Sequence, residues 1–146
     1  MAYPRRVPAC VFCAILAGES PASVVYRDRL ACAFMDIAPL TPGHTLVVPL
    51  AHAVGLRDLD PAAGARVFRI GQRIANALRR SELHVEGITL FLADGREAGQ
   101  EVMHLHLHVL PRFTGDGVRI DLGPQHRGSP TRAALDAAAA QLRARL

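Results

Sequence analysis

The stretch from Met103 to Arg112 carries His104, His106 and His108 at two-residue spacing, with Leu105, Leu107 and Val109 between and after them. A β-strand repeats every second residue, so one face would hold the three imidazoles, about 6.5 Å apart, and the other the apolar side chains. A helix would scatter them, because positions i and i+2 do not share a helical face. Imidazole is suited to nucleophilic attack, to proton transfer near neutral pH and to metal ligation. Alternate strand histidines could also converge on one ion as a catalytic metal centre. The bland alternative is a row of satisfied strand histidines with no task. Against it, three of the seven histidines fall within five residues, opposite a wholly apolar face.

A second group with chemical potential is Cys10-x-x-Cys13, which reads equally as half a metal site, a redox pair or coincidence. Cys32, between Ala31 and Ala33, reads as an inert core residue. The odd cysteine count argues against a disulfide framework.

These residues need elements to hold them. Residues 7–18 read as a cysteine-bearing turn running into a short helix ended by Gly18. Residues 22–27 and 30–37 are β-like runs that suggest a hairpin, although Asp28-Arg29 is not a favoured primed-turn pair. Pro39 to Gly43 breaks the chain, and residues 44–50 form a third strand stopped by Pro49. The strongest helix signal follows. Asp58 or Asp60 can cap it, Pro61 suits its first turn, and Val67, Gly71, Ile74 and Leu78 make an apolar stripe ending near Arg79 and Arg80. Residues 88–92 predict a fourth strand, and the histidine row a fifth, closed by Pro111. Ser129 and Pro130 can start a final helix through Arg145, striped by Leu135, Ala139 and Leu142. Strands in succession with one long intervening helix predict an α+β fold with an antiparallel sheet.

The 146 residues suit one domain with a real core. No apolar run is long enough for a membrane span, and the first eight residues lack the apolar region of a secretory signal, so the expected location is the cytoplasm. All seventeen basic residues are arginine, scattered along the chain, and the net charge is a mild +4. That balance does not predict nucleic-acid binding; it is compatible with anionic substrates such as nucleotides.

Four blocks taken together resemble the histidine triad (HIT) family of nucleotide hydrolases and transferases, in its bacterial zinc-binding type. They are Cys10-Val-Phe-Cys13-Ala-Ile, Asp36-x-x-Pro39-x-x-Pro42-Gly43-His44, Gly99-Gln100, and His104-Leu-His106-Leu-His108-Val-Leu-Pro-Arg. The likeness covers about residues 8–116, which we take as the histidine triad domain (1–116), with 117–146 as a C-terminal extension packed on or extending it. It implies a five-stranded antiparallel sheet with one long and several shorter helices, a homodimer with a continuous sheet, and a purine nucleotide substrate cleaved at its α-phosphate. Phosphoramidates and dinucleoside polyphosphates are both candidate substrates.

By the same resemblance His106 is the nucleophile, forming a nucleotidyl-imidazole that water then cleaves, and His108 assists the leaving group. His44 takes an orienting or phosphate-side role; its rival reading is a cap on the Pro42-Gly43 turn. Asp36 accepts from the ribose hydroxyls. Val11, Phe12, Ile15, Phe34 and Ile37 wall the base, or equally serve as core, and Gln100 hydrogen-bonds the phosphate region. Cys10, Cys13, His52 and His104 form one closed structural zinc site per chain. His84 and His126 fall outside every block and read as surface residues. Two residues depart from the family pattern. Ala93 stands where an amide is common, and Glu101 where a small hydroxyl is common, so a nucleotide-binding protein with little turnover is the competing reading.

Overall fold

The computed structural model describes residues 10–119 and 129–146. Five strands form one antiparallel sheet: β1 (Val24–Arg27), β2 (Ala31–Met35), β3 (Thr45–Pro49), β4 (Gly87–Leu92) and β5 (Leu107–Arg112), in the order β1-β2-β3-β5-β4. Among the described residues three α-helices complete it, α1 (Val11–Leu16), α2 (Pro61–Arg79) and α3 (Arg132–Arg143), with a 3-10 turn at Arg96–Ala98. The architecture is the α+β fold expected from the sequence.

The two sheet faces carry separate cores. Ala31, Ala33, Val47, Leu107 and Val109 meet Val67, Ile70 and Ile74 of α2 on one face. Cys32, Phe34, Leu46 and Val48 meet Phe12 and Ile15 of α1 on the other. Period-two alternation in β2 and β3 sends adjacent residues to different helices, while β5 gives Leu107 and Val109 to the α2 side. Burial of both faces explains why β3 reads as an uninterrupted apolar run. Gly71 lets α2 approach β5: a Cβ there would sit 2.6 Å from Leu107 Cδ2.

Local chemistry sets the boundaries. Asp60, not Asp58, caps α2, accepting from Ala63 N–H at 3.0 Å, and Pro61 occupies the first turn. Asp58 instead accepts from Val54 and Gly55 N–H, both at 2.9 Å, and ties down the loop after His52. The β1–β2 turn dispenses with a primed pair because Asp28 Oδ1 accepts from Leu30 and Ala31 N–H, at 2.8 and 2.9 Å. Arg66 of α2 then pairs with the other carboxylate oxygen of Asp28. Burial raises the Asp28 pKa, but these two backbone donors and Arg66 outweigh it and hold the carboxyl far below its usual range.

Three sequence expectations are corrected. The fifth strand does not contain the whole histidine row: it begins at Leu107, where β3 first pairs with it through Val47, so His104 and His106 precede it. Nor does Pro111 close that strand. It pairs with Ile88, and its carbonyl points away from β4 to accept the Thr41 hydroxyl at 2.7 Å, so the missing N–H costs β4 no ladder bond. The final helix starts at Arg132 with Thr131 as its cap, not at Ser129 and Pro130. None of the residues of α3 is buried; Leu135 and Leu142 are exposed and Ala139 is half-buried. No helix among the described residues is long and apolar enough to cross a membrane.

Candidate active site and metal centre

Ahead of β5 the chain bends at residues 102–104 and is anchored by Leu105 N–H to Ala53 carbonyl at 2.7 Å. That bend carries His104 off the sheet toward α1 and the loop after β3. Cys10 caps α1, its Sγ accepting from Cys13 N–H at 3.4 Å, which sets both sulfurs at the same helix end. The donor atoms of Cys10, Cys13, His52 and His104 all lie within 4.8 Å of one another.

A tetrahedral zinc bound at about 2.3 Å to sulfur and about 2.0–2.1 Å to nitrogen sets those ligands roughly 3.5 Å apart. The observed separations are 3.5 Å for Cys10 Sγ to His104 Nδ1, 3.3 Å for Cys13 Sγ to His52 Nδ1 and 3.6 Å for Cys13 Sγ to His104 Nδ1. His104 Nε2 donates to Pro49 carbonyl at 2.9 Å, so its lone pair is on Nδ1, the atom facing the cysteines. Burial, followed by hydrogen bonding and charge from Cys10, pushes the Cys13 thiol up to about 11; a bound cation would reverse that. The four residues fit zinc in geometry and in donor type.

The other histidines have different partners. His106 Nδ1 donates to the main-chain carbonyl of His104 at 2.8 Å, leaving a lone pair on Nε2. Leu40 N–H donates to His44 Nδ1 at 3.1 Å, so His44 carries its proton on Nε2 and donates it to His108 Nδ1 at 2.9 Å. His108 is thereby left with its proton on Nε2. A backbone amide at one end of this chain therefore determines which His108 nitrogen is a donor. Asp36 Oδ2 lies 3.5 Å from His44 Nδ1. The nearer Leu40 N–H claims that lone pair, so His44 is neutral here. Burial lowers the pKa of His44, and it lowers that of His108 to about 4, helped by the nearby His106 and His44. Asp36, His44 and His108 also cluster closely enough for an ion, but both His44 nitrogens are already committed.

The remaining expected residues divide. Phe12 is buried with its ring edge-on to His104 and His106, at centroid distances of 5.8 and 5.2 Å. Phe34 is buried against Phe12, and Ile15 packs onto the same core. Val11 is exposed and Ile37 fully so, which leaves these two as apolar surface near Asp36 and α1. Gln100 is corrected outright. Its Oε1 accepts from Gly95 N–H at 2.8 Å, and its Nε2 donates to Val54 and Val102 carbonyls at 2.6 and 3.1 Å. The amide is buried and fully used, so it shapes the loop before the row and has no donor left for phosphate. Ala93 is buried and Glu101 exposed. His84 is exposed and adopts a left-handed φ of 54°, while His126 lies outside the described residues. Sequence reading did not single out Leu40, which acts through its backbone, or Phe91, whose ring stacks on His108. The side chain of Leu40 holds no signal for its role, and that of Phe91 becomes informative only once the β4–β5 register is known.

Residues 17–115 match the HIT domain model. An uncharacterized HIT-like protein of Mycobacterium tuberculosis is 48% identical over 125 residues, covering 86% of each chain. The adenylylsulfatase HINT3 of Arabidopsis thaliana is 34% identical over 107 residues, which are 73% of this chain and 54% of that protein. Among solved structures, a HIT family protein from Bacillus anthracis superposes with a TM-score of 0.89 at 33% identity, covering 97% of this chain and 99% of that one. A zinc-bound histidine triad family protein from Mycobacterium smegmatis gives a TM-score of 0.71 at 43% identity, covering 94% and 98%. Sheet order, the division of the histidine row and these likenesses lead to one conclusion: the chain belongs to the HIT family.

Proposed function

We propose that this protein is a nucleotide hydrolase or transferase that cleaves the α-phosphate bond of purine nucleoside phosphoramidates or dinucleoside polyphosphates. The observation that carries the reading is the pairing of His106, with a lone pair on Nε2, and His108, with a proton on Nε2. The relative named as an adenylylsulfatase supports a substrate that carries an adenylyl group.

In the proposed reaction the His106 Nε2 lone pair forms a bond to the α-phosphorus while the bond to the leaving group breaks. The anionic phosphate beside the His44–His108 pair favours its protonated form, which burial disfavours in the free protein. His108 Nε2 gives its proton to the departing atom, which leaves the pair neutral with a lone pair on His108 Nε2 and the remaining His108 proton on Nδ1. The nucleotidyl group is then on His106 as an imidazolium, with Nδ1–H still held by His104 carbonyl. Water attacks the phosphorus, its proton returns to the pair, and His106 leaves as neutral imidazole. Asp36 serves the ribose hydroxyls, and Val11 and Ile37 face the base, with Phe12, Ile15 and Phe34 behind them.

Cys10, Cys13, His52 and His104 would hold one zinc per chain, which would cross-link α1, the loop after β3 and the bend before β5. Among the described residues β4 is an edge strand, and its half-buried Ile88, Leu90 and Leu92 suit a second copy pairing into a continuous sheet. We place the catalytic unit in residues 1–116 and take 117–146 as its extension. The free cysteines suit the cytoplasm.

A second reading, nucleotide binding with little turnover, is favoured by Ala93, whose side chain can make no hydrogen bond to a nucleotide. The test is incubation with adenosine phosphoramidate and with a diadenosine polyphosphate, comparing the natural protein with His106→Ala. AMP release that disappears in the variant supports the enzyme. AMP binding without release from either substrate overturns it in favour of the second reading.

A further inference from the structure

β4 reaches into the site through one residue. Ile88, Leu90 and Leu92 pack toward the α2-side core, and the alternation of the strand turns Phe91 to the opposite face. There it lies directly across from His108 in the β4–β5 register. The two rings stack with centroids 4.0 Å apart and planes 8° from parallel. Phe91 belongs to neither apolar core cluster. The edge-on and tilted ring contacts elsewhere in the site have centroids at least 4.7 Å apart.

The stack answers a mechanical problem. The bond from His44 Nε2 to His108 Nδ1 decides which nitrogen carries the proton, but one hydrogen bond leaves the ring free to tilt about it. Tilting would swing the Nε2–H away from a fixed target, and proton transfer depends on heavy-atom separations of about 2.6–3.2 Å. A flat ring lying parallel at van der Waals distance removes that freedom. Ala93, next on the same face, is too small to substitute.

We propose that Phe91 is a positioning residue for leaving-group protonation: by stacking on the imidazole of His108 it keeps the Nε2–H aimed at the departing atom. This rests on the reading of His106 as nucleophile and His108 as proton donor.

The test uses two substrates that share the adenylyl group and differ strongly in how much proton help the leaving group needs: an N-alkyl phosphoramidate of AMP and the p-nitrophenyl ester of AMP. Phe91→Leu keeps an apolar side chain but loses the flat ring, Phe91→Tyr keeps the ring, and Phe91→Met is a second flexible replacement. Because aligned proton donation is typically worth about 10²–10⁴-fold, its partial loss lowers kcat on the phosphoramidate by about 10–100-fold in Phe91→Leu and Phe91→Met. On the p-nitrophenyl ester kcat stays within about threefold, KM is steady on both, and Phe91→Tyr restores the phosphoramidate rate. Equal slowing on both substrates, a change confined to KM, or no restoration by Tyr overturns the role. His108→Ala separates the two levels of the argument. If it shows the leaving-group split and Phe91→Leu does not, only the Phe91 assignment falls. If His108→Ala shows no split either, the proton-donor reading falls and takes the Phe91 role with it.

Discussion

Two clusters flank His106 along the chain and draw on the same side chain, yet they are built for different ends. At Cys10, Cys13, His52 and His104 four donor atoms converge within 4.8 Å, and His104 turns its second nitrogen to a buried carbonyl. At Asp36, His44 and His108 the groups form a hydrogen-bond chain that begins at a backbone amide and ends on an unshared N–H. The first arrangement is closed and suits a resident ion; the second has an open end and suits a passing proton. What separates them is the partner of the other ring nitrogen. A carbonyl on Nε2 leaves His104 a lone pair on Nδ1. An imidazole N–H on Nδ1 leaves His108 a proton on Nε2.

The sharpest way to break this comparison is to remove one histidine from each role. His106→Ala is expected to lower AMP release by about 10³-fold or more while retaining bound zinc, because no other nucleophile is held in place. Cys13→Ser is expected to do the reverse in kind: zinc content per chain falls toward zero and the thermal midpoint drops, as read by metal analysis and calorimetry. Zinc lost with His106 and kept without Cys13 would exchange the two assignments.

A smaller effect tests the open cluster through pH. Burial holds His108 at about 4 against an ordinary value of 6.5. Between those values the unfolded chain binds a proton that the folded chain does not, so stability falls as pH falls through this window. From pH 7 to pH 5 this group is expected to contribute a loss of about 1–2 kcal/mol. Urea unfolding of the natural protein and of His108→Gln at both pH values checks it; identical slopes would remove His108 as the source. Of similar size is Gln100→Ala, which leaves Gly95 N–H and the carbonyls of Val54 and Val102 without their partner. It is expected to cost about 2 kcal/mol of folding stability with AMP affinity unchanged. An affinity loss at unchanged stability would return Gln100 to the phosphate.

Much of the fold could be read from local patterns. Apolar runs and the α2 stripe depend on periodicity, which a chain displays without knowledge of its partners, so strands and helices were placed to within a few residues. Boundaries failed where a distant partner intervened. β5 begins at Leu107 because the residues before it bond elsewhere, Leu105 N–H to Ala53 carbonyl, although β3 itself runs on to Pro49, and Pro111 stays in the strand because its carbonyl meets Thr41. The helix cap moved from Ser129 to Thr131, where the side chain bonds Ala134 N–H.

The row of imidazoles, their common spacing and the family resemblance are properties of sequence, since side-chain type and order need no folding to be read. The division of labour among the three is not. His104 is set by Pro49 carbonyl 55 residues away, His108 by His44 and beyond it by Leu40, and the stack from Phe91 by the β4–β5 register. Each of those partners is a backbone group or a ring brought near by the sheet. Imidazole has two nitrogens, and its chemistry at one depends on what the fold places against the other.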